Sequence, residues 1–115
     1  MELRVEQVQG ISVVTIPVES LDAGNTEDFK KHMIPLLDQA NSMALDLAKL
    51  RFVDSSGLGA ILSCLRKLNA KGGDLKVFNV TNQVRLLFEL VRMHRIVDIL
   101  PDREAVFSAF SLSTS

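Results

Sequence analysis

The residues best suited to chemistry lie in one short run, Asp54-Ser55-Ser56-Gly57-Leu58-Gly59. Two hydroxyls beside a carboxylate invite comparison with a serine nucleophile, but such a nucleophile needs a base within hydrogen-bond reach and a group to orient that base. The chain has only two histidines, His32 and His94, and the serines do not sit in the Gly-x-Ser-x-Gly elbow of hydrolases. Gly57-Leu58-Gly59 lacks the lysine of a P-loop and the third glycine of a dinucleotide fingerprint. Three readings remain. The serines and Asp54 can cap a helix by accepting from its first free N–H groups. The same helix start can serve as an anion site for a nucleotide or small anion. Alternatively, a serine hydroxyl is itself the substrate of another enzyme. A phosphate there would bring a charge of about −1.5 to −2 to a helix N-terminus, where free amides and the macrodipole favour an anion. The fold would tolerate that charge. A partner docked on the same spot would meet a penalty on the order of 2–5 kcal/mol, which lowers affinity by tens to thousands of times at about 1.4 kcal/mol per decade.

The elements around this run are legible from periodicity. Leu58, Ile61, Leu62, Leu65 and Leu68 recur at i, i+3, i+4 and i+7, and the pattern stops at Gly72-Gly73, so Ser55 to Lys71 reads as an amphipathic helix. Gly57 and Gly59 are costly in a first turn, up to about 1 kcal/mol each against alanine, unless something must approach the backbone. Before this helix, Met43 to Leu47 reads as a short buried strand; after it, Leu75 to Val80 alternates as another. Strand, helix, strand implies a right-handed crossover and parallel pairing.

At the start of the chain, Leu3 to Val8 and the β-branched run Ile11 to Ile16 form a hairpin through Gln9-Gly10. Pro17 to Asn25 is rich in turn formers and reads as a loop that brings Ser20, Leu21 and Asp22 to the sheet edge where Asp54 emerges, the edge at which parallel α/β layers meet ligands and partners. Thr26 to about Ala40 is a helix with Phe29, Met33, Leu36 and Leu37 on one face; Pro35 falls on the solvent side, where it should bend the helix without breaking it. Thr81 is placed to cap a third helix carrying Val84, Leu87, Phe88 and Val91 on its apolar side, and Asp102 a last one carrying Ala105, Val106, Ala109 and Phe110. Ile96 to Leu100 reads as a short strand or an apolar connector. Residues 111–115 lack a pattern and are expected to fray.

With 115 residues, nearly half of them hydrophobic, the chain fits one domain over 1–115 with a single core that requires no metal, cofactor or disulfide. A net charge of −1 offers no field for direct nucleic-acid binding or for an anionic membrane surface. The lone Cys64 lies among helix residues and reads as a small buried side chain, and His32 as a solvated surface residue. Charges at Glu2, Arg4 and Glu6 interrupt any signal sequence, and no apolar run is long enough to insert into a membrane, so a cytoplasmic location is expected.

Phe52 to Gly59, with Ala44-Leu45-Asp46-Leu47 before it and Gly72-Gly73-Asp74-Leu75 after it, resembles the STAS domain, and within it the bacterial anti-sigma factor antagonists. Leu21-Asp22 and Arg85-Leu86-Leu87-Phe88 also match that pattern, so the likeness spans nearly the whole chain. The resemblance implies an α/β fold: a mixed, mostly parallel sheet of four to five strands with an N-terminal hairpin and about four helices. It implies a binding module, not an enzyme, whose phosphorylation site is Ser55. The unphosphorylated form would bind an anti-sigma factor that is a GHKL-type serine kinase and free a sigma factor; phosphorylation would release it, and a PP2C-type phosphatase would restore it. Asp22, Asp54, Ser56, Gly57, Leu58 and Gly59 would face the partner. The same domain also serves as an accessory subunit of lipid-trafficking ABC transporters, in stressosome scaffolds and in anion-transporter tails.

Overall fold

A computed structural model of the chain describes residues 1–113. The β-branched second strand and its polar neighbour form the expected hairpin: β1 (Arg4–Val8) pairs antiparallel with β2 (Ile11–Thr15). Gln9 and Gly10 both take positive φ, 53° and 79°, the two-residue turn whose twist matches that of paired strands. From β2 onward every pairing in the main sheet is parallel. β4 (Ser42–Asp46) lies beside β2, β6 (Asp74–Phe78) beside β4, and β7 (Asp98–Leu100) beside β6, giving the order β1-β2-β4-β6-β7. Ile96 to Leu100 therefore divides: its last residues are a strand, and Val97 plugs the core just before it.

A second, two-stranded parallel sheet stands apart. In it β3 (Ser20–Leu21) pairs with β5 (Phe52–Val53), aligning Ser20 with Phe52 and Leu21 with Val53. This corrects the reading of Pro17 to Asn25 as loop throughout. Two residues are too few to show any period, so the strand leaves no trace in the hydrophobic pattern.

Alternation sends the two faces of the main sheet to different helices. Val14, Met43, Leu45, Leu75 and Val77 face a large core completed by Phe29, Met33 and Leu37 of α1 (Thr26–Gln39), Ile61, Leu65 and Leu68 of α2 (Ser55–Ala70), and Val84 and Phe88 of α3 (Asn82–Leu90). α1 runs through Pro35, which is exposed as expected and so leaves the packed stripe intact. The opposite face, with Ile11, Val13, Ala44 and Phe78, is covered by Val106 and Phe110 of α4 (Arg103–Ser113). Asp102 caps α4 as anticipated, its Oδ1 accepting from the Ala105 amide at 2.9 Å.

One further expectation changes. Val91 lies beyond the end of α3 and is exposed, not part of its apolar face. Lys76, in the middle of β6, is buried beneath α4 with its ammonium 4.7 Å above the Phe110 ring. α4 runs to Ser113, and Thr114 and Ser115, the end of the tail expected to fray, lie outside the described residues.

Candidate functional site

Ser55 is the first residue of α2 and is exposed, as is Ser56. Neither hydroxyl has a hydrogen-bond partner among the described residues. The cap is Asp54 alone: held extended at φ −92° and ψ −174°, it turns Oδ1 back to accept from the Gly57 amide at 2.9 Å. That bond and the one the Asp54 amide donates to the Leu21 carbonyl, 3.2 Å, account for two of the four orphan donors of the helix start, and the Leu58 amide makes the first regular helix bond, to the Asp54 carbonyl at 2.9 Å. The amides of Ser55 and Ser56 are left toward solvent beside the free hydroxyls. The capping role considered for the serines thus falls to their neighbour.

The other oxygen of Asp54 reaches across to the loop after β3, where Oδ2 accepts from the Ala23 amide at 3.0 Å. One carboxylate therefore ties two loops that are distant in sequence. The main chain ties them again: the Asp54 amide donates to the Leu21 carbonyl at 3.2 Å, and the amides of Arg51 and Phe52 donate to the Glu19 carbonyl at 2.7 and 3.1 Å. Gly57 packs directly on this joint. A Cβ at Gly57 would sit 2.2 Å from the Leu21 carbonyl oxygen and 2.7 Å from Val53 Cγ1, so the close approach anticipated from its glycine is real. Gly59 is different, since a Cβ there would meet nothing within 4 Å. Its place in the first turns of α2 has no steric reason.

Asp22 lies on the same edge and organises the loop leading into α1. Its Oδ2 accepts from the Ser20 hydroxyl at 2.6 Å and its Oδ1 from the Gly24 amide at 2.9 Å, while its carbonyl accepts from the Asn25 and Thr26 amides. These bonds, the Ser20 hydroxyl first and the Gly24 amide next, hold the carboxyl below its ordinary value against the opposing effect of burial. Asn25 occupies the N-cap position of α1 but does not cap with its side chain. Instead, its Oδ1 accepts from the Asp22 amide at 3.0 Å and its Nδ2 donates to the Ser20 carbonyl at 2.7 Å. Ser20 and Asn25 are thus working parts of the site, where the sequence pattern offered only a loop rich in turn formers. Their two-residue and three-residue spacings from Asp22 are the signal of side chains that fold back on the local backbone.

The site therefore brings together Asp22, Asp54, Ser55, Ser56, Gly57, Leu58 and Gly59 on one sheet edge, with Leu58 half-buried and Gly57 buried. Among the described residues no group of three or more His, Cys, Asp or Glu is arranged to hold a metal ion, and no helix is long and apolar enough to cross a membrane. His32 is exposed and pairs locally, Nδ1 lying 2.8 Å from the Asp28 carbonyl. What the arrangement offers is an accessible hydroxyl on a rigid two-loop platform, with free amides beside it.

Residues 2–106 match the sequence model of the STAS domain. Over 101 residues the chain is 30% identical to a Paenibacillus polymyxa protein named anti-sigma F factor antagonist, covering 86% of each chain. Among solved structures, it superposes on a Thermotoga maritima protein described as a putative anti-sigma factor antagonist with a TM-score of 0.86 and 23% identity, over 93% of this chain and 92% of that one. It also superposes on the phosphorylated form of the Bacillus cell fate determinant SpoIIAA, with a TM-score of 0.69 and 21% identity over 94% and 99% of the two chains.

Proposed function

From the premise that the chain belongs to the STAS domain family, we propose that it is an anti-sigma factor antagonist, a single-domain binding module switched by phosphorylation of Ser55. In its unmodified form it binds an anti-sigma factor that is also a GHKL-type serine kinase, and a sigma factor is freed. The kinase then transfers a phosphoryl group to Ser55 Oγ, the hydroxyl proton leaves, and the complex parts. A PP2C-type phosphatase hydrolyses the phosphoserine and returns the module to its binding state. It acts in the cytoplasm, by binding and not by catalysis.

The observation that carries this reading is the Ser55 hydroxyl: exposed, unpartnered among the described residues and at the N-terminus of α2. Its own helix welcomes an anion, because the Ser55 and Ser56 amides are free and the dipole is favourable there. A docked protein does not. Pressed over the same hydroxyl, it would bury a dianion next to Asp54, which repels any acid opposite. Asp22, Ser56, Gly57, Leu58 and Gly59 form the rest of the kinase-facing surface.

The reading is tested by two substitutions and a phosphosite map. Ser55→Ala is expected to bind the kinase partner without being modified. Ser55→Asp should bind it tens of times more weakly or worse, yet melt close to the parent, because an acid is favourable at that helix position. Mass spectrometry after incubation with kinase and ATP should place the phosphate on Ser55. Phosphate on Ser56 alone, or undiminished binding by Ser55→Asp, overturns the assignment.

A further inference from the structure

We propose that α3 and the single 3-10 turn after it, Met93–Arg95, form a second docking surface that takes an acidic amphipathic helix of a partner protein. Leu86 and Leu90 are exposed on α3 by 61% and 78%, and Val91 and Ile96 just beyond it by 53% and 58%. Of the other exposed large apolar residues, Val5 and Ile34 stand singly on β1 and α1, and Phe52 is on β5, the strand that packs against α3. Scattered apolar residues need no explanation, whereas a contiguous group marks a surface meant to be covered. α3 is anchored from behind, because Val84 and Phe88 are fully buried, so Leu86 and Leu90 are presented one turn apart on a fixed rod.

The charge around the patch selects the occupant. Residues 82–97 carry Arg85, Arg92 and Arg95 against one acid, Glu89, in a chain whose net charge is −1. None of the three guanidiniums is ion-paired among the described residues. Arg92 also holds φ at 61°, a left-handed backbone that glycine adopts freely and arginine does not. A cation is kept there against the local preference of the chain. An apolar stripe flanked by unpaired arginines fits a helix with leucine-like anchors at i, i+3, i+4 and i+7 and acids on its margins. A second copy of this chain fits poorly, since two such patches would face each other with like charge. A membrane fits poorly too: three arginines fall short of the polybasic clusters that hold a surface to anionic lipid, and the buried side of α3 keeps the helix from sinking.

The test uses the full chain, labelled with 15N, and a synthetic helical peptide of about 18 residues, five turns, with leucines on one face and glutamates elsewhere. Amide shifts are expected to cluster from Leu86 to Ile96. The Leu86→Ser/Leu90→Ser double variant should weaken binding about tenfold or more at unchanged melting temperature, since both side chains are exposed. Arg92→Gly should melt higher yet bind more weakly, a combination that a purely structural arginine would not produce. The proposal is overturned if the peptide fails to bind or if a lysine-for-glutamate version binds equally well. It is overturned equally if the same amides respond only to phosphatidylglycerol vesicles or only to raised protein concentration.

Discussion

Gly57 and Gly59 are the same residue two positions apart in one helix, and the structure makes opposite demands of them. Alanine at Gly57 would drive its Cβ to 2.2 Å from a backbone oxygen, so either α2 or β3 must move. We expect Gly57→Ala to destabilise the fold by about 1–3 kcal/mol, the range for overpacking. Gly59→Ala meets open space and removes a flexible residue from a helix, so it should stabilise by about 0.5–1 kcal/mol. Denaturant unfolding of the two variants checks both signs, and equal effects would contradict the geometry. The sequence marks both glycines as places where something comes close to the backbone. It could not tell them apart, because the group that approaches Gly57 belongs to β3, which has no pattern of its own. Asp22 yields a prediction at the same scale. Its carboxyl is held below the ordinary 3.8 by Ser20 and Gly24, so its contribution to loop stability is complete above pH 3.8 and is lost only as pH falls through the lower folded value. In an acid titration followed by NMR, the Gly24 amide should keep its shift below pH 3.8, and Asp22→Asn should abolish the acid transition.

At the scale of the element, β6 shows where periodicity stops being informative. Its alternation is visible in the sequence, but the destination of each face depends on what covers it, and α4 arrives from the far end of the chain. Lys76 is therefore buried, with Nζ 2.7 Å from Asp98 and 2.9 Å from Asp74. Burial pulls its pKa down, the hydrogen bonds it donates to Asp98 and Asp74 more than offset that, and the net shift is upward from 10.5. A cation whose folded pKa is raised stabilises fully below pH 10.5, and that stability is lost as pH rises through the folded value. Lys76→Met should leave stability at pH 7 within about 1–2 kcal/mol, because the unbranched hydrophobe fills nearly the same space while both acids remain solvated, and it should blunt the alkaline loss. Urea unfolding of both proteins at pH 7 and above 10 reads this directly. Helices α1 and α2, by contrast, follow their apolar stripes closely, and Cys64 on α2 is buried as its position implies, its thiol pushed up to about 11 by desolvation.

For the whole molecule, the five-stranded sheet with its N-terminal hairpin follows from the order of elements, whereas the asymmetry of its covering does not. α1, α2 and α3 share one face, and among the described residues α4 is the principal cover of the other. Ending the chain after Leu100 would bare Ile11, Val13, Ala44 and Phe78 and unroof Lys76. Such a truncation is expected to bind the dye ANS and to aggregate, while a parent-like, dye-free monomer would show α4 to be dispensable. The candidate site lies away from that seam, on an edge where most ties are main chain to main chain. Leu21 meets the α2 start through its carbonyl, Glu19 meets β5 through its carbonyl, and Gly57 answers with the lack of a side chain. A joint made largely of peptide groups fixes only a few letters, Gly57 and Asp54 foremost. The outward side chains of these two loops can be rewritten for a new binding mate, substitution by substitution, while the frame that displays them keeps its shape.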